Sequence, residues 1–215
     1  MSKLTQTNFN SIEIEIQTVI SIINYGVGNI KSIVKAVEYV GGKAVVTSDR
    51  KQILNSDAII LPGVGAFKTA IQKLGPIRDV IDSLTVPVLG ICLGMQLFAT
   101  KSYEGGVSYG LNYIPGEVVK FPSSVGKIPH MGWNTIKIVR YNEILDGIED
   151  NSYVYFVHSY HMKTNDKFMI TKTKYGIEFV SGVAKDNYYG FQFHPEKSGK
   201  IGLRIIENFV KIAKR

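Results

Sequence analysis

The sequence predicts an α/β fold in which a central, mostly parallel sheet is flanked by helices and extended by an added antiparallel strand region. Three observations carry that expectation. In the first half, short runs that are apolar throughout alternate with helical patterns, as strands buried on both faces of a parallel sheet do. Glycine-rich turns join those strands to the helices. In the second half the segments shorten and fill with Tyr, Val and Ile, the pattern of mixed and antiparallel strands.

Taken in order, residues 1–17 carry polar residues and then the alternation Ile12, Glu13, Ile14, Glu15, Ile16. This fits a short edge strand or an extension lying on the body, so residues 1–17 are read as an N-terminal extension and residues 18–215 as one domain. Residues 19–24 form an apolar run that ends in Tyr25-Gly26-Val27-Gly28-Asn29. Ile30, Ile33, Val34, Val37 and Val40 then recur at helical spacing before Gly41-Gly42, giving strand, tight turn, helix and stop.

Strands follow over residues 44–47 and 58–61, and Pro62-Gly63-Val64-Gly65 reads as a loop opening a helix that buries Ala66, Phe67, Ala70, Ile71 and Leu74. Residues 86–91 form a short buried strand meeting Cys92 at its end, with residues 93–100 helical. Further strands are expected over residues 116–121, 135–139, 153–158, 168–173, 179–183 and 189–193. Ile201, Ile205, Phe209 and Ile212 mark one face of a final helix. No repeat, linker or low-complexity segment argues for a further boundary.

The 215 residues are 45% hydrophobic and 20% charged, enough for one sizeable core. No apolar run approaches the roughly 18 to 20 residues of a bilayer-spanning helix, and no basic stretch precedes an apolar signal segment at the start. A cytoplasmic protein with no membrane partner is expected. The net charge of +7 is scattered rather than gathered into a stripe with aromatics, so it reads as solubility and a rim suited to an acidic partner, with no nucleic acid. A single cysteine allows no intrachain disulfide and no thiolate cluster for zinc. No metal and no cofactor are expected.

That cysteine sits in Val88-Leu89-Gly90-Ile91-Cys92-Leu93-Gly94-Met95-Gln96. A lone Cys is most often a small buried hydrophobe. Glycines two residues before and two after point instead to a sharp strand-to-helix turn that holds the thiol at the carboxyl edge of the sheet, where open α/β sheets bind ligands. A helix N-terminus favours a thiolate and offers backbone N–H groups to an oxyanion. Cysteine suits acyl transfer, because a thiolate attacks readily and a thioester hydrolyses readily.

A partner base is offered by Phe191-Gln192-Phe193-His194-Pro195-Glu196-Lys197-Ser198. An aromatic strand delivers His194 at its end, Pro195 stiffens the loop, and Glu196 is near enough to accept the Nδ1 proton. By itself the tripeptide could equally be a surface turn. With the elbow cysteine it reads as a Cys-His-Glu triad. His130, in a loop after Pro129, and His158 and His161, near the end of the strand from Tyr153, are competing histidines better read as polar rim residues. None forms the His-x-x-x-His spacing of a helical metal site.

Gly90-Ile-Cys92-Leu-Gly94-Met-Gln96 with His194-Pro-Glu196 resembles the triad, or class I, glutamine amidotransferases. More narrowly, Asn24-Tyr-Gly26-Val-Gly28-Asn29, Pro62-Gly-Val-Gly65, Pro129-His-Met-Gly-Trp-Asn134, Tyr155-Phe-Val-His-Ser-Tyr160 and His194-Pro-Glu-Lys-Ser198 resemble the glutaminase subunits of imidazole glycerol phosphate synthases. The resemblance runs from about residue 19 to the C-terminus. It implies a flavodoxin-like fold and hydrolysis of glutamine to glutamate and ammonia. The ammonia is implied to pass through a channel to a (β/α)8-barrel synthase subunit in a heterodimer, which makes imidazole glycerol phosphate and an aminoimidazole carboxamide nucleotide in histidine biosynthesis.

By the same resemblance Cys92 is the nucleophile, His194 the base and Glu196 its orienter. Gly63, Val64, Gly65 and Leu93 would form the oxyanion hole. Gln96 and Glu104, with the backbone around His158, Ser159 and Tyr160, would hold glutamine, whose α-ammonium calls for a carboxylate. Asn29, Met131, Trp133 and Lys197 would face the partner, although Trp133 could also pack in the core. The glycine pair around Val64 would let a peptide flip and so aim or withdraw an N–H, explaining a glutaminase that waits for its loaded partner.

The stretch from Ser102 to Leu111 keeps the family outline but carries Tyr109 where a small or polar residue is expected. Paralogues that supply ammonia for amidation of a nucleotide-linked sugar in surface-polysaccharide biosynthesis would look almost the same. A non-enzymatic small-ligand or partner-binding module, holding a phosphate at Gly26-Val-Gly28-Asn29, and a stand-alone cysteine hydrolase are the readings from other classes. Labelling of Cys92 by a glutamine-like electrophile separates enzyme from binding module.

Overall fold

The computed structural model describes residues 17–26 and 28–215, so the alternation at residues 12–16 lies outside the described residues. The first half winds as β1 (Val19–Ile23), α1 (Ile30–Tyr39), β2 (Lys43–Thr47), α2 (Arg50–Leu54), β3 (Ala58–Leu61), α3 (Phe67–Leu74), α4 (Arg78–Asp82), β4 (Val88–Ile91) and α5 (Leu93–Leu97). The second half is mostly strand: β5 (Lys101–Ser102), β6 (Ser108–Tyr109), β7 (Gly116–Lys120), β8 (His130–Thr135), β9 (Lys137–Ile138), β10 (Tyr153–His158), β11 (Tyr160–Thr164), β12 (Met169–Tyr175), β13 (Ile177–Lys185) and β14 (Tyr188–Phe191). Helix α6 (Gly199–Ala213) closes the chain.

Eight strands form the main sheet in the order β2-β1-β3-β4-β14-β13-β12-β9. The first five are mutually parallel, and the remaining three continue antiparallel. Side chains of the parallel strands alternate between two cores, as the period of two requires. Ile20, Ile22, Ala58, Ile60, Leu89 and Ile91 pack with α1 and α6 on one face. Ile23, Ile59, Leu61 and Val88 pack with α2 to α5 on the other. Both faces are covered, which is why these strands read as apolar throughout.

Strands β11-β7-β5-β6 make a second sheet, and β10 pairs antiparallel with β8 in a third. The single strand expected over residues 135–139 is instead two strands that belong to different sheets. Buried Ile136 separates them, with its N–H bonded to Ser152 O; β8 before it pairs with β10, and β9 after it pairs with β12. His130, expected in a loop, therefore begins a strand.

Other differences are local. The helix expected to residue 100 stops at Leu97, because the turn after it feeds β5. Ala66 is exposed at the N-cap position of α3 rather than buried, and Ile71 is only half-buried. Strand β11 was not legible, since Tyr-His-Met-Lys-Thr shows no apolar alternation.

Topology brings the motifs together. Registers pair Leu61 with Gly90 and Gly90 with Gly190, so the carboxyl ends of β3, β4 and β14 lie side by side. The loop Pro62–Gly65, the cysteine and the His-Pro-Glu turn leave from those three neighbouring ends. This is the edge at which parallel sheets place their ligands.

Candidate active site

Cys92 joins β4 to α5 with φ 54° and ψ −106°, a left-handed conformation that a residue with a Cβ rarely adopts. Its N–H bonds Phe191 O at 2.8 Å, which locks the elbow to the last residue of β14. The flanking glycines permit the turn. A Cβ on Gly90 would stand 2.7 Å from Gly94 C and Met95 N, and one on Gly94 would stand 1.9 Å from Leu61 O. Strand, elbow and helix thus meet backbone to backbone.

Past β14 the chain carries Gln192, Phe193 and His194 into a 3₁₀ turn over Pro195–Lys197. The turn is fixed by His194 N–H to Tyr155 O (2.9 Å) and by the Ser198 hydroxyl to His194 O (2.7 Å). His194 Nδ1 lies 2.9 Å from Glu196 Oε1, with both side chains almost wholly buried. A carboxylate can only accept, so Nδ1 carries the proton and Nε2 is the nitrogen left for chemistry. Nε2 is buried and makes no hydrogen bond. Burial alone would push the imidazole down, but Cys92 and Glu196 hold its protonated form and raise it to about 10. Sulfur and carboxylate thus stabilise the imidazolium that forms when His194 takes the proton of Cys92.

In front of the sulfur lies a cleft of about 350 Å³, lined by Val64, Gly65, Cys92, Leu93, Gln96, Glu104, Pro129, Val157, His158, Ser159 and Tyr160. Gly63 is not in the lining; it is buried where a Cβ would stand 2.7 Å from Leu93 Cβ, so it lets the loop close on the start of α5. The hydroxyl of buried Tyr25 donates to Pro62 O and anchors the same loop. Gly65 has φ 101° and open space around it. Glu104 Oε2 accepts the N–H of Phe67 at 2.8 Å, tying the carboxylate of the cleft to the first residue of α3.

The other histidines are core residues, not rim residues. His130, His158 and His161 are at most 6% exposed and pack around Phe121. Burial lowers them to about 4, 3 and 4, so they are neutral at pH 7. Their tautomers follow from their partners. His158 Nδ1 donates to Tyr160 O (2.8 Å), leaving Nε2 to accept from His130 Nδ1 (3.0 Å), and His130 Nε2 then accepts from Asn134 Nδ2 (3.2 Å).

Sequence reasoning passed over Gln192 and Tyr25. Gln192 Nε2 stands 3.6 Å from Cys92 Sγ, and its Oε1 accepts from Gln96 Nε2 at 3.0 Å. The one amide between two phenylalanines in Phe191-Gln192-Phe193 was the only trace of Gln192 in the sequence.

Met131 and Trp133 stand out from β8, 61% and 56% exposed. Trp133 is thus a strand residue and not one of a loop or of the core. Its ring meets Tyr155 edge-on at 6.0 Å, and the Lys197 ammonium sits 5.9 Å from the same tyrosine ring. Asn29 stands at the N-cap position of α1 without a side-chain capping bond, and its amide donates to Ser32 Oγ (2.9 Å).

A cysteine on a strained elbow, beside a buried His-Glu pair at the carboxyl edge of a parallel sheet, defines a thiol-dependent acyl-transfer enzyme. The chain belongs to the class-I glutamine amidotransferase family, whose model matches residues 21–213. It is 69% identical to the "Imidazole glycerol phosphate synthase subunit HisH" of Archaeoglobus fulgidus over 91% of this chain and 100% of that one. It is 50% identical to the protein of the same name from Methanocaldococcus jannaschii, over 90% and 99%. Among solved structures, PurLQS from Thermotoga maritima superposes with a TM-score of 0.71 at 16% identity, over 91% of this chain and 99% of that one, and shares the fold.

Proposed function

We propose that this chain is the glutaminase subunit of an imidazole glycerol phosphate synthase. It hydrolyses glutamine and delivers ammonia to a (β/α)8-barrel subunit, a lyase-type synthase of histidine biosynthesis. One observation carries the reading: Cys92 lines a cleft shared with Gln96 and Glu104, beside the Glu196-oriented His194. The near full-length identity to HisH proteins supports the choice of pathway.

In the reaction, Cys92 Sγ gives its proton to His194 Nε2 and attacks the carboxamide carbon. The oxyanion forms beside the backbone of Val64, Gly65 and Leu93. His194 returns the proton to the departing nitrogen as the C–N bond breaks, which releases ammonia and leaves a thioester. Water then attacks with His194 again taking the proton, and glutamate leaves. Glu104 and the acceptor of Gln96 meet the α-ammonium of the substrate, and the turn at His158–Tyr160 flanks its other end. Open space around Gly65 suits a peptide that reorients when the partner is loaded.

The domain spans residues 18–215, with residues 1–17 as an extension. Among the described residues no helix is long and apolar enough to cross a membrane, and a cytoplasmic heterodimer fits that composition. The exposed Met131, Trp133 and Lys197, with Asn29, supply the partner face around the mouth of an ammonia channel.

The test is co-expression with a candidate barrel subunit. Glutamine-dependent formation of the imidazole product should vanish in Cys92→Ser, while turnover with added ammonium salt persists. A complex that amidates a nucleotide-linked sugar instead would move the chain to the paralogous pathway. Glutaminase activity unaffected by partner and nucleotide would remove the gating role of the Gly65 loop.

A further inference from the structure

We propose that Gln192 takes part in the reaction directly, as the donor that holds the Cys92 sulfur in its reactive form and orientation. This rests on the reading of Cys92 as nucleophile and adds a group that the triad does not contain. The direction of the amide follows from a chain of partners. Tyr160 O can only accept, and it receives Gln96 Nε2 at 2.9 Å and His158 Nδ1 at 2.8 Å. Gln96 therefore presents its amide nitrogen inward, and the same nitrogen reaches Gln192 Oε1 at 3.0 Å. With its oxygen so occupied, Gln192 must turn Nε2 toward the sulfur, 3.6 Å away.

The site is built rather than incidental. Gln192 has no solvent exposure, and its neighbours Phe191 and Phe193 are buried phenylalanines, so packing alone would be served by an apolar side chain. A buried amide left unpaired costs roughly 1–3 kcal/mol, and here both of its ends are paired.

The sulfur needs such a donor. As a thiol, Cys92 has Val157 O as acceptor at 3.9 Å. When the S–H bond breaks and the proton moves to His194 Nε2, the sulfur becomes an acceptor only. The Gln192 N–H then faces a full charge, and the hydrogen bond becomes about twice as strong. Stabilising a thiolate lowers its intrinsic nucleophilicity by only about half as much, on a logarithmic scale, as it raises its population. While the thiolate is the minor form, the donor therefore accelerates attack. The same chain ties the sulfur through Gln96 to the cleft, so the nucleophile and the substrate pocket share one buried network.

Two variants of the full chain test this, read by the rate of Cys92 alkylation with iodoacetamide at fixed pH and by kcat and KM for glutamine in the complex with the barrel subunit. Gln192→Glu keeps the acceptor toward Gln96 and turns the sulfur-facing donor into a carboxylate. Its alkylation rate and kcat are expected to fall together by about 100-fold, with KM within about twofold. Gln192→Met removes the donor without adding charge, and about a tenfold fall is expected. The proposal is overturned if a folded Gln192→Glu alkylates within about threefold of wild type, or if KM rises while kcat holds, which would make Gln192 only a prop for Gln96. Should Gln192→Glu fail to fold, Gln192→Met decides by the same readings. A wild-type complex that alkylates at Cys92 yet releases no glutamate would sink the glutaminase reading and leave this one standing.

Discussion

Glu104 Oε2 accepts the backbone N–H of Phe67 at 2.8 Å, which joins the carboxylate of the substrate cleft to the residue that opens α3, two positions after the Pro62–Gly65 loop. Substrate charge and loop position therefore act on the same group. Glu104→Gln keeps an acceptor for Phe67 but loses the charge that attracts an ammonium. KM for glutamine should rise about 10- to 100-fold, with the melting temperature nearly unchanged. Glu104→Ala should add a stability loss of about 1 kcal/mol, or roughly 2–4 °C, because the Phe67 N–H is orphaned. Steady-state kinetics and a thermal melt measure both; equal melting temperatures for the two variants would deny the tie to α3.

The glycines around the nucleophile differ in what they protect, and one substitution at each of two positions separates the roles. Gly94→Ala would place a Cβ 1.9 Å from Leu61 O, a backbone atom with no freedom to yield. A loss of more than about 3 kcal/mol in stability is expected, seen as insoluble or early-melting protein. Gly65→Ala meets open space, but its φ of 101° strains any residue with a Cβ. It should fold with a penalty of about 1–3 kcal/mol and lose kcat rather than KM, since the loop that carries the proposed oxyanion donors would relax.

Much of this architecture was legible because the parallel strands are buried on both faces, which leaves an apolar signature at residues 19–23, 58–61 and 88–91 that only Ser21 interrupts with a polar group. The glycine spacing around Cys92 revealed the elbow, since only close backbone contact demands glycine at both Gly90 and Gly94. What escaped depends on tertiary contact. His130 and His161 look like polar surface residues along the chain and become core residues only when Phe121, Phe156 and Phe179 gather around them. The break at Ile136 arises because the chain changes sheets there. Gln192 showed nothing in its own segment that pointed to its partners, as they lie about 100 positions earlier.

The buried histidines set opposite limits on stability with pH. His130, His158 and His161 are held below their unfolded value of about 6.5, to about 4, 3 and 4. Between pH 6.5 and about 4 the unfolded chain binds up to three more protons than the native one. Their contribution is fully present above pH 6.5 and is lost on acidification, at up to about 4 kcal/mol per pH unit. His194 is raised to about 10, so its contribution is present below pH 6.5 and is lost as pH rises toward 10, at about 1.4 kcal/mol per pH unit. Denaturant titrations from pH 4 to 10 should give a maximum near pH 6.5 to 7 with a steeper acid limb. His130→Phe should flatten that limb, and a limb of unchanged slope would refute the buried-neutral assignment.

Trp133 is the only tryptophan of the chain and stands 56% exposed beside Met131, Tyr155 and Lys197. An indole held out from a strand and braced edge-on by a tyrosine that also carries a cation, with an exposed methionine on the same strand, has the composition of an interface anchor. It contributes little to the fold that carries it, because most of its ring already meets solvent. Trp133→Ala should therefore shift stability by no more than about 0.5 kcal/mol and leave Cys92 alkylation at the wild-type rate. Its effect should appear in association: a Kd for the barrel subunit raised by roughly 30- to 1000-fold, the range of a central aromatic anchor. Because the chain has a single indole, binding also reports itself. Titration with a tryptophan-free barrel subunit should move the emission to shorter wavelength as water leaves the ring. A complex that forms on gel filtration with the emission unmoved would place the interface on another face of the molecule.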